Sequence, residues 1–209
     1  MTINKEEITK CQITMKSAVE NHPRRERRRE YLTPTEVDKL LCAAKKQEHN
    51  PERNYCLLLL MYHHGLRVSE ACQLKLNDID LGEKVIHIKR LKNGKSAVQP
   101  IYPSEVKALR DWLKVRETMG AHGDALFISE RNQPMNRATV NVIVNKVAEA
   151  AGLSSLYVHP HQLRHACGYF LANEGRDTRS IQDHLGHRSI QHTVRYTELA
   201  PGRSANFFR

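Results

Sequence analysis

The chain has no apolar run approaching the roughly 20 residues that a membrane-spanning helix needs; its longest, Cys56 to Tyr62, is a core segment. The polar start, Met1 to Lys10, does not resemble a secretory signal. Cysteine is scarce, with five residues at Cys11, Cys42, Cys56, Cys72 and Cys167, odd in number and unpaired in spacing. Without an export signal, this pattern reads as reduced thiols in a cytoplasm. Cys56 and Cys167 sit in apolar helical runs, as small buried hydrophobes. The histidines are numerous, but no Cys pair and no His-Glu-x-x-His frame gives them a zinc geometry, so no metal is expected. Acidic residues are the minority charge: 23 Asp and Glu against 33 Lys and Arg leave a formal charge of +10. That balance favours a polyanionic partner.

At 209 residues and 40% hydrophobic, the chain can build one sizeable globular core. Residues 1–30 are polar and end in a basic run holding Arg24, Arg25, Arg27, Arg28 and Arg29. They read either as a solvated flexible tail or as an arm that grips phosphates. Regular patterning starts at Tyr31. Thr33-Pro34-Thr35-Glu36 opens a helix with a capping box, and Val37, Leu40, Leu41 and Ala44 give it one apolar face. A second helix, Pro51 to His64, stops at Gly65, so Arg67 begins the next helix beside a tight turn. Lys84 to Leu91 and Ser96 to Ile101 read as two strands of a hairpin around Asn93-Gly94. The remaining expectations are a helix from Ser104 to Glu117, a short strand from Ala125 to Ser129, and a helix from Asn136 to Ala151. A helix entered at Pro160 and ended at Gly175, then segments from Arg179 to Leu185 and Ile190 to Thr197, complete a mainly α domain with a small antiparallel β-sheet.

Chemistry concentrates between His161 and Tyr196. His161-Gln162-Leu163-Arg164-His165 sits at a helix start, where residues one turn apart share a face and the N-terminus favours an anion. Leu185-Gly186-His187 follows, and then Tyr196. A phenol has a pKa of about 10 in water, so as a nucleophile it needs a proton acceptor and positive charge around its target. Both kinds of group are present.

This ordered set resembles the C-terminal signature of the tyrosine recombinases, also called the phage integrase family. His64-Gly65-Leu66-Arg67-Val68-Ser69-Glu70 resembles the family's first-arginine motif, and Leu91-Lys92-Asn93-Gly94-Lys95 places Lys92 where its general-acid lysine sits. The resemblance spans Tyr31 to Thr197. Within the family the fimbrial switch invertases are the most alike, on Arg53-Asn54-Tyr55-Cys56-Leu57, Arg90-Leu91-Lys92-Asn93-Gly94 and the run from His159 to Gly168. Asp177-Thr178-Arg179, Ile181-Gln182-Asp183 and His192-Thr193-Val194-Arg195-Tyr196-Thr197 add to that likeness. The resemblance implies the family's catalytic-domain fold over residues 31–209, preceded by the basic arm of residues 1–30. Larger members carry a separate helical domain ahead of the catalytic one, for which this chain leaves no room.

The resemblance also implies the roles. Tyr196 attacks a DNA phosphate, expels a 5′ hydroxyl and leaves a 3′-phosphotyrosine. Arg67 and Arg164 hold the non-bridging oxygens with forked donors that suit a phosphate gaining charge. Lys92, or its neighbour Lys95, protonates the leaving hydroxyl. His161 and His187 accept the phenol proton or donate to phosphate, and His165 reads equally as structural. One phosphodiester replaces another at nearly equal energy, so no cofactor is expected. Lys95, Arg131, Arg137 and Lys146 are candidates for DNA contact. The expected partners are double-stranded DNA with inverted repeats, further copies forming a tetramer on DNA, and accessory DNA-bending proteins; no membrane contact is expected, and the expected compartment is the bacterial nucleoid. Phe207 and Phe208 suggest docking of the C-terminal tail on a neighbouring protomer. A mobile-element integrase, a type IB topoisomerase-like relaxing enzyme and a non-catalytic DNA-binding regulator stand as alternatives.

Overall fold

A computed structural model describes residues 31–91, 94–156 and 158–198. The arginine arm, Lys92 and the Phe207-Phe208 tail lie outside the described residues. Among the described residues, eight α-helices and a three-stranded sheet follow one another: α1 (Pro34–Ala44), α2 (Pro51–His63), α3 (Val68–Gln73), β1 (Ile79–Asp80), β2 (Val85–Ile88), β3 (Ala97–Pro100), α4 (Pro103–Thr118), α5 (Arg137–Ala150), α6 (Pro160–Asn173), α7 (Thr178–Leu185) and α8 (Gln191–Glu198). Among the described residues no helix is long and apolar enough to cross a membrane.

Local chemistry fixes the helix starts. Thr33 closes its capping box, its backbone N–H donating to Glu36 Oε2 at 2.8 Å and its Oγ1 accepting from Glu36 N at 3.3 Å. Asn136 Oδ1 accepts from Thr139 N at 2.9 Å and starts α5. Asp177 caps α7 through Oδ1. Helix α2 is apolar on nearly every side and forms the centre: Cys56, Leu57, Leu58, Leu60 and Met61 are fully buried between α1, α4 and α6. Trp112 of α4 anchors the opposite side, donating from Nε1 to Leu126 O at 2.9 Å and stacking on Phe127. Cys167, Tyr169, Ala172, Ile181, Leu185 and Tyr196 form a second cluster where α6, α7 and α8 meet.

The sheet departs from the expected hairpin in three respects. Its order is β1-β2-β3, all antiparallel, with Ile79 opposite Ile86 and Ile88 opposite Ala97. Strand β1 is an addition, too short to carry an alternating pattern. Strand β2 also ends at Ile88, short of Leu91; beyond it the side chain of Arg90 turns into the core to meet Glu70, at 2.9 Å. The expected strand from Ala125 to Ser129 is absent. Only isolated bridges form there, Lys75 with Ala125 and Ile128 with Pro134. Three of its carbonyls are satisfied by side chains in place of a neighbouring strand: Arg116 Nε donates to Ala125 O, Trp112 to Leu126 O, and Arg53 to Ile128 O.

Candidate active site

The site is assembled where three turns converge. The first follows α2: the chain reverses at Gly65 and places Arg67 at the N-cap of α3. Glu70, 3% exposed, reaches back to that cap. Its Oε2 accepts from Arg67 N at 2.9 Å, and its Oε1 accepts from the Arg67 guanidinium at 2.6 Å. Burial works against ionisation of Glu70, but the Arg67 N–H and the two guanidinium partners outweigh it and hold its pKa below the usual carboxylate value.

The second turn enters α6 at Pro160 and brings in Arg164, which is 1% exposed. Its guanidinium donates to Gly65 O and, at 2.8 Å, to Leu185 O. Burial, then the charges of Arg67 and Arg90, push its pKa down to about 10, which leaves it a cation at neutral pH. The third turn ends α7 at Gly186 and presents His187, whose Nδ1 lies 2.9 Å from Thr193 Oγ1. Gln182 Nε2 holds the same turn by donating to His187 O at 3.0 Å.

Tyr196, on α8, lies inside this arrangement and is 1% exposed. Its hydroxyl shares a 2.8 Å hydrogen bond with His165 Nδ1. Its ring runs nearly parallel to that of His187, with centroids 6.3 Å apart, and takes the edge of Tyr169 at 5.1 Å. Gly168 makes this seat available: a Cβ there would lie 2.8 Å from the phenol ring. Burial pushes the phenol up to about 12, although Arg164 and Arg195 pull the other way. The phenol is therefore neutral and enclosed, with its hydroxyl held on His165.

Arg67, Arg164, His187 and Tyr196 thus come together, with His161 at an exposed edge, its ring 4.3 Å from that of His165. Lys92 lies outside the described residues, but its flanking Leu91 is at the site, its N–H 3.2 Å from Glu70 Oε1. The histidine that meets the phenol is His165, not His161 or His187. Sequence reasoning did not single out Glu70, Arg90 or Thr193. Glu70 had a signal, the position three residues after an N-cap.

The DNA-contact candidates are dispersed. Lys95, Arg131, Arg137 and Lys146 are all exposed. Arg131 and Lys146 face one open groove of about 920 Å³, with Lys46 and His49 but also Glu48, Glu130 and Glu149 on its walls. Arg24, Arg25, Arg27, Arg28 and Arg29 lie outside the described residues. Among the described residues, no group of three or more His, Cys, Asp or Glu side chains is placed to hold a metal ion.

Buried neutral histidines make the domain acid-sensitive. Desolvation pushes His165 and His187 down to about 3 and His184 to about 4. In the unfolded chain each titrates at about 6.5, so below that pH the unfolded state binds more protons. Stability present above pH 6.5 is lost as the pH falls toward the folded values. Going from about pH 7.5 to about pH 5 should cost about 1 kcal/mol per ring after allowance for solvent screening. The expected result is a fall of several degrees in Tm; an unchanged Tm would mean that the rings are solvated in the folded state.

A buried forked cation, a second arginine beside it and a phenol among imidazoles are an arrangement suited to phosphoryl transfer. The phage integrase family model matches residues 30–203. The chain is 47% identical over 178 residues to the type 1 fimbriae regulatory protein FimB of Escherichia coli, covering 85% of this chain and 88% of that protein. It is 45% identical over 183 residues to the type 1 fimbriae regulatory protein FimE of the same species, covering 87% and 91%. Among solved structures, the XerH site-specific recombinase bound to its palindromic difH substrate in a post-cleavage complex superposes with a TM-score of 0.75 at 26% identity. That match covers 90% of this chain and 56% of the XerH chain, so the present chain spans just over half of that protein. The chain belongs to the phage integrase family, the tyrosine recombinases.

Proposed function

We propose that the protein inverts a promoter-bearing DNA segment between short inverted repeats, as a switch of fimbrial expression, through a 3′-phosphotyrosine intermediate. The observation that carries this reading is the seat of Arg164, anchored on a carbonyl of the Arg67 turn and another of the His187 turn. One buried cation thereby sets the spacing of the groups that surround a phosphate. The likeness to FimB and FimE over most of both chains supports the fimbrial part.

In this mechanism the Tyr196 oxygen forms a bond to phosphorus while the bond from phosphorus to the 5′ oxygen breaks. Lys92 gives its proton to that departing oxygen. Arg67 and Arg164 offer their free N–H groups to the non-bridging oxygens, whose charge grows in the transition state. His187 uses Nδ1 on Thr193 and keeps Nε2 for phosphate. His165 takes the phenol proton: an arriving phosphate anion raises the proton affinity of the imidazole that burial has lowered. His161, at the exposed edge, donates to phosphate. Attack by a 5′ hydroxyl of another strand reverses the step and completes the exchange.

The acting unit is a tetramer holding two repeats, with the arginine arm on the DNA backbone and DNA-bending proteins shaping the loop in the bacterial nucleoid. The test is a supercoiled plasmid carrying a promoter between paired inverted repeats. Inversion should need both repeats. Relaxation of a plasmid with no repeat, at the same rate, would instead favour a type IB topoisomerase-like activity.

A further inference from the structure

Arg90 has no place in the mechanism above, yet it is 6% exposed and lies beneath two of the turns of the site, those of Arg67 and His187. Its guanidinium donates to four acceptors: Glu70 Oε2 at 2.9 Å, Gly65 O at 3.3 Å, His64 O at 2.8 Å and His184 O at 2.6 Å. The first two bind it to the Arg67 turn and the last to the end of α7, just before Leu185 and His187. Gly65 O is shared with Arg164, and Glu70 is shared with Arg67. Gly186 is shaped to this side chain: a Cβ there would stand 2.7 Å from Arg90 Cγ. These contacts join segments far apart in sequence, so they act only in the folded site.

The charges give the arrangement a second effect. Two guanidinium groups, of Arg67 and Arg90, bond Glu70 and Arg164 adds a third cation nearby, so a net positive charge remains for a phosphate. With Arg90 on Oε2, Arg67 meets only part of the carboxylate's charge. Without it, Glu70 would hold Arg67 more tightly and withdraw its donors from the substrate.

We propose that Arg90 is a positioning residue for recombination: it ties the Arg67 turn to the His187 turn and shares Glu70, so that Arg67 and Arg164 stand at the spacing a phosphate requires. The proposal rests on the reading that those two arginines neutralise the scissile phosphate. Misplacement of about 1 Å in such a cradle costs on the order of 100-fold in rate.

The test compares cleavage of a nicked repeat substrate by the full chain and its variants, with DNA binding and Tm measured in parallel. Arg90→Met should cleave about 100-fold more slowly with DNA affinity within a few-fold of wild type. Arg90→Lys keeps a charge on Glu70 but reaches fewer carbonyls, so its loss should be about tenfold; it carries the test if Arg90→Met does not fold. A methylphosphonate at the scissile position removes the anionic oxygen that the cradle serves. On that substrate the Arg90 variants should recover to within a few-fold of wild type. Equal losses on both substrates would overturn the proposal, as would recovery only on a substrate with a 5′-bridging sulfur, which would place the defect at the leaving group. Arg164→Lys is the control: if methylphosphonate fails to rescue it as well, the cradle reading itself is wrong.

Discussion

Replacing Tyr196 by phenylalanine is expected to abolish covalent protein–DNA complexes and inversion while leaving a folded protein that still binds DNA. The substitution removes one oxygen and keeps the ring that packs on Gly168 and Tyr169 and lies against His187. The structural loss is one hydrogen bond, the 2.8 Å contact with His165, at about 1 kcal/mol. The chemical loss is of another order, since the hydroxyl that His165 holds is the proposed nucleophile itself. Removing a nucleophile from a site whose other groups act only through it costs on the order of 10⁴-fold or more. A nicked repeat substrate traps the covalent complex, because the severed strand diffuses away. Trapped complex from the phenylalanine variant at even a hundredth of the wild-type amount would remove Tyr196 from its role.

The parts of this molecule that announce themselves in sequence are those whose cause is local. A Thr-Pro-Thr-Glu start, a Gly stop after an apolar run and a cluster of β-branched residues each act within a few positions. Helices α1, α2 and α4 to α6 accordingly lie within a residue or two of where the pattern puts them. The segment from Ala125 to Ser129 misleads because its strand-like composition is satisfied by Arg53, Trp112 and Arg116, each reaching its carbonyls from another element. The site divides in the same way. Arg67, Arg164, His187 and Tyr196 are legible as spaced motifs, and the fold brings them together. Arg90 is not, because a buried arginine bonded to four groups from other turns has the same sequence signature as one in solvent. His165 is the intermediate case, placed on the right face by its spacing from His161 but recognisable as the partner of the phenol only once α8 is packed against α6.

Arg164 separates charge from geometry, and its two substitutions are expected to behave differently. The side chain is almost wholly buried, and its guanidinium satisfies Gly65 O and Leu185 O. Arg164→Ala leaves Leu185 O buried and unpaired, at about 1–3 kcal/mol, leaves Gly65 O only its longer contact with Arg90, and adds a cavity. A large fall in Tm should accompany loss of cleavage, so this variant says little about catalysis by itself. Arg164→Lys preserves the charge and most of the volume, but an ammonium is a point charge that cannot hold two diverging carbonyls and still present a fork to phosphate. The expected outcome is a moderate fall in Tm, DNA affinity within about tenfold of wild type, and cleavage slower by about 10³-fold, the cost of losing one fixed donor to a developing oxyanion. Binding and cleavage are read on the same labelled repeat, by gel shift and by covalent complex on the nicked form. Cleavage within tenfold of wild type for Arg164→Lys would mean that the site uses positive charge alone. The buried pair of carbonyl contacts would then serve the fold and not the phosphate.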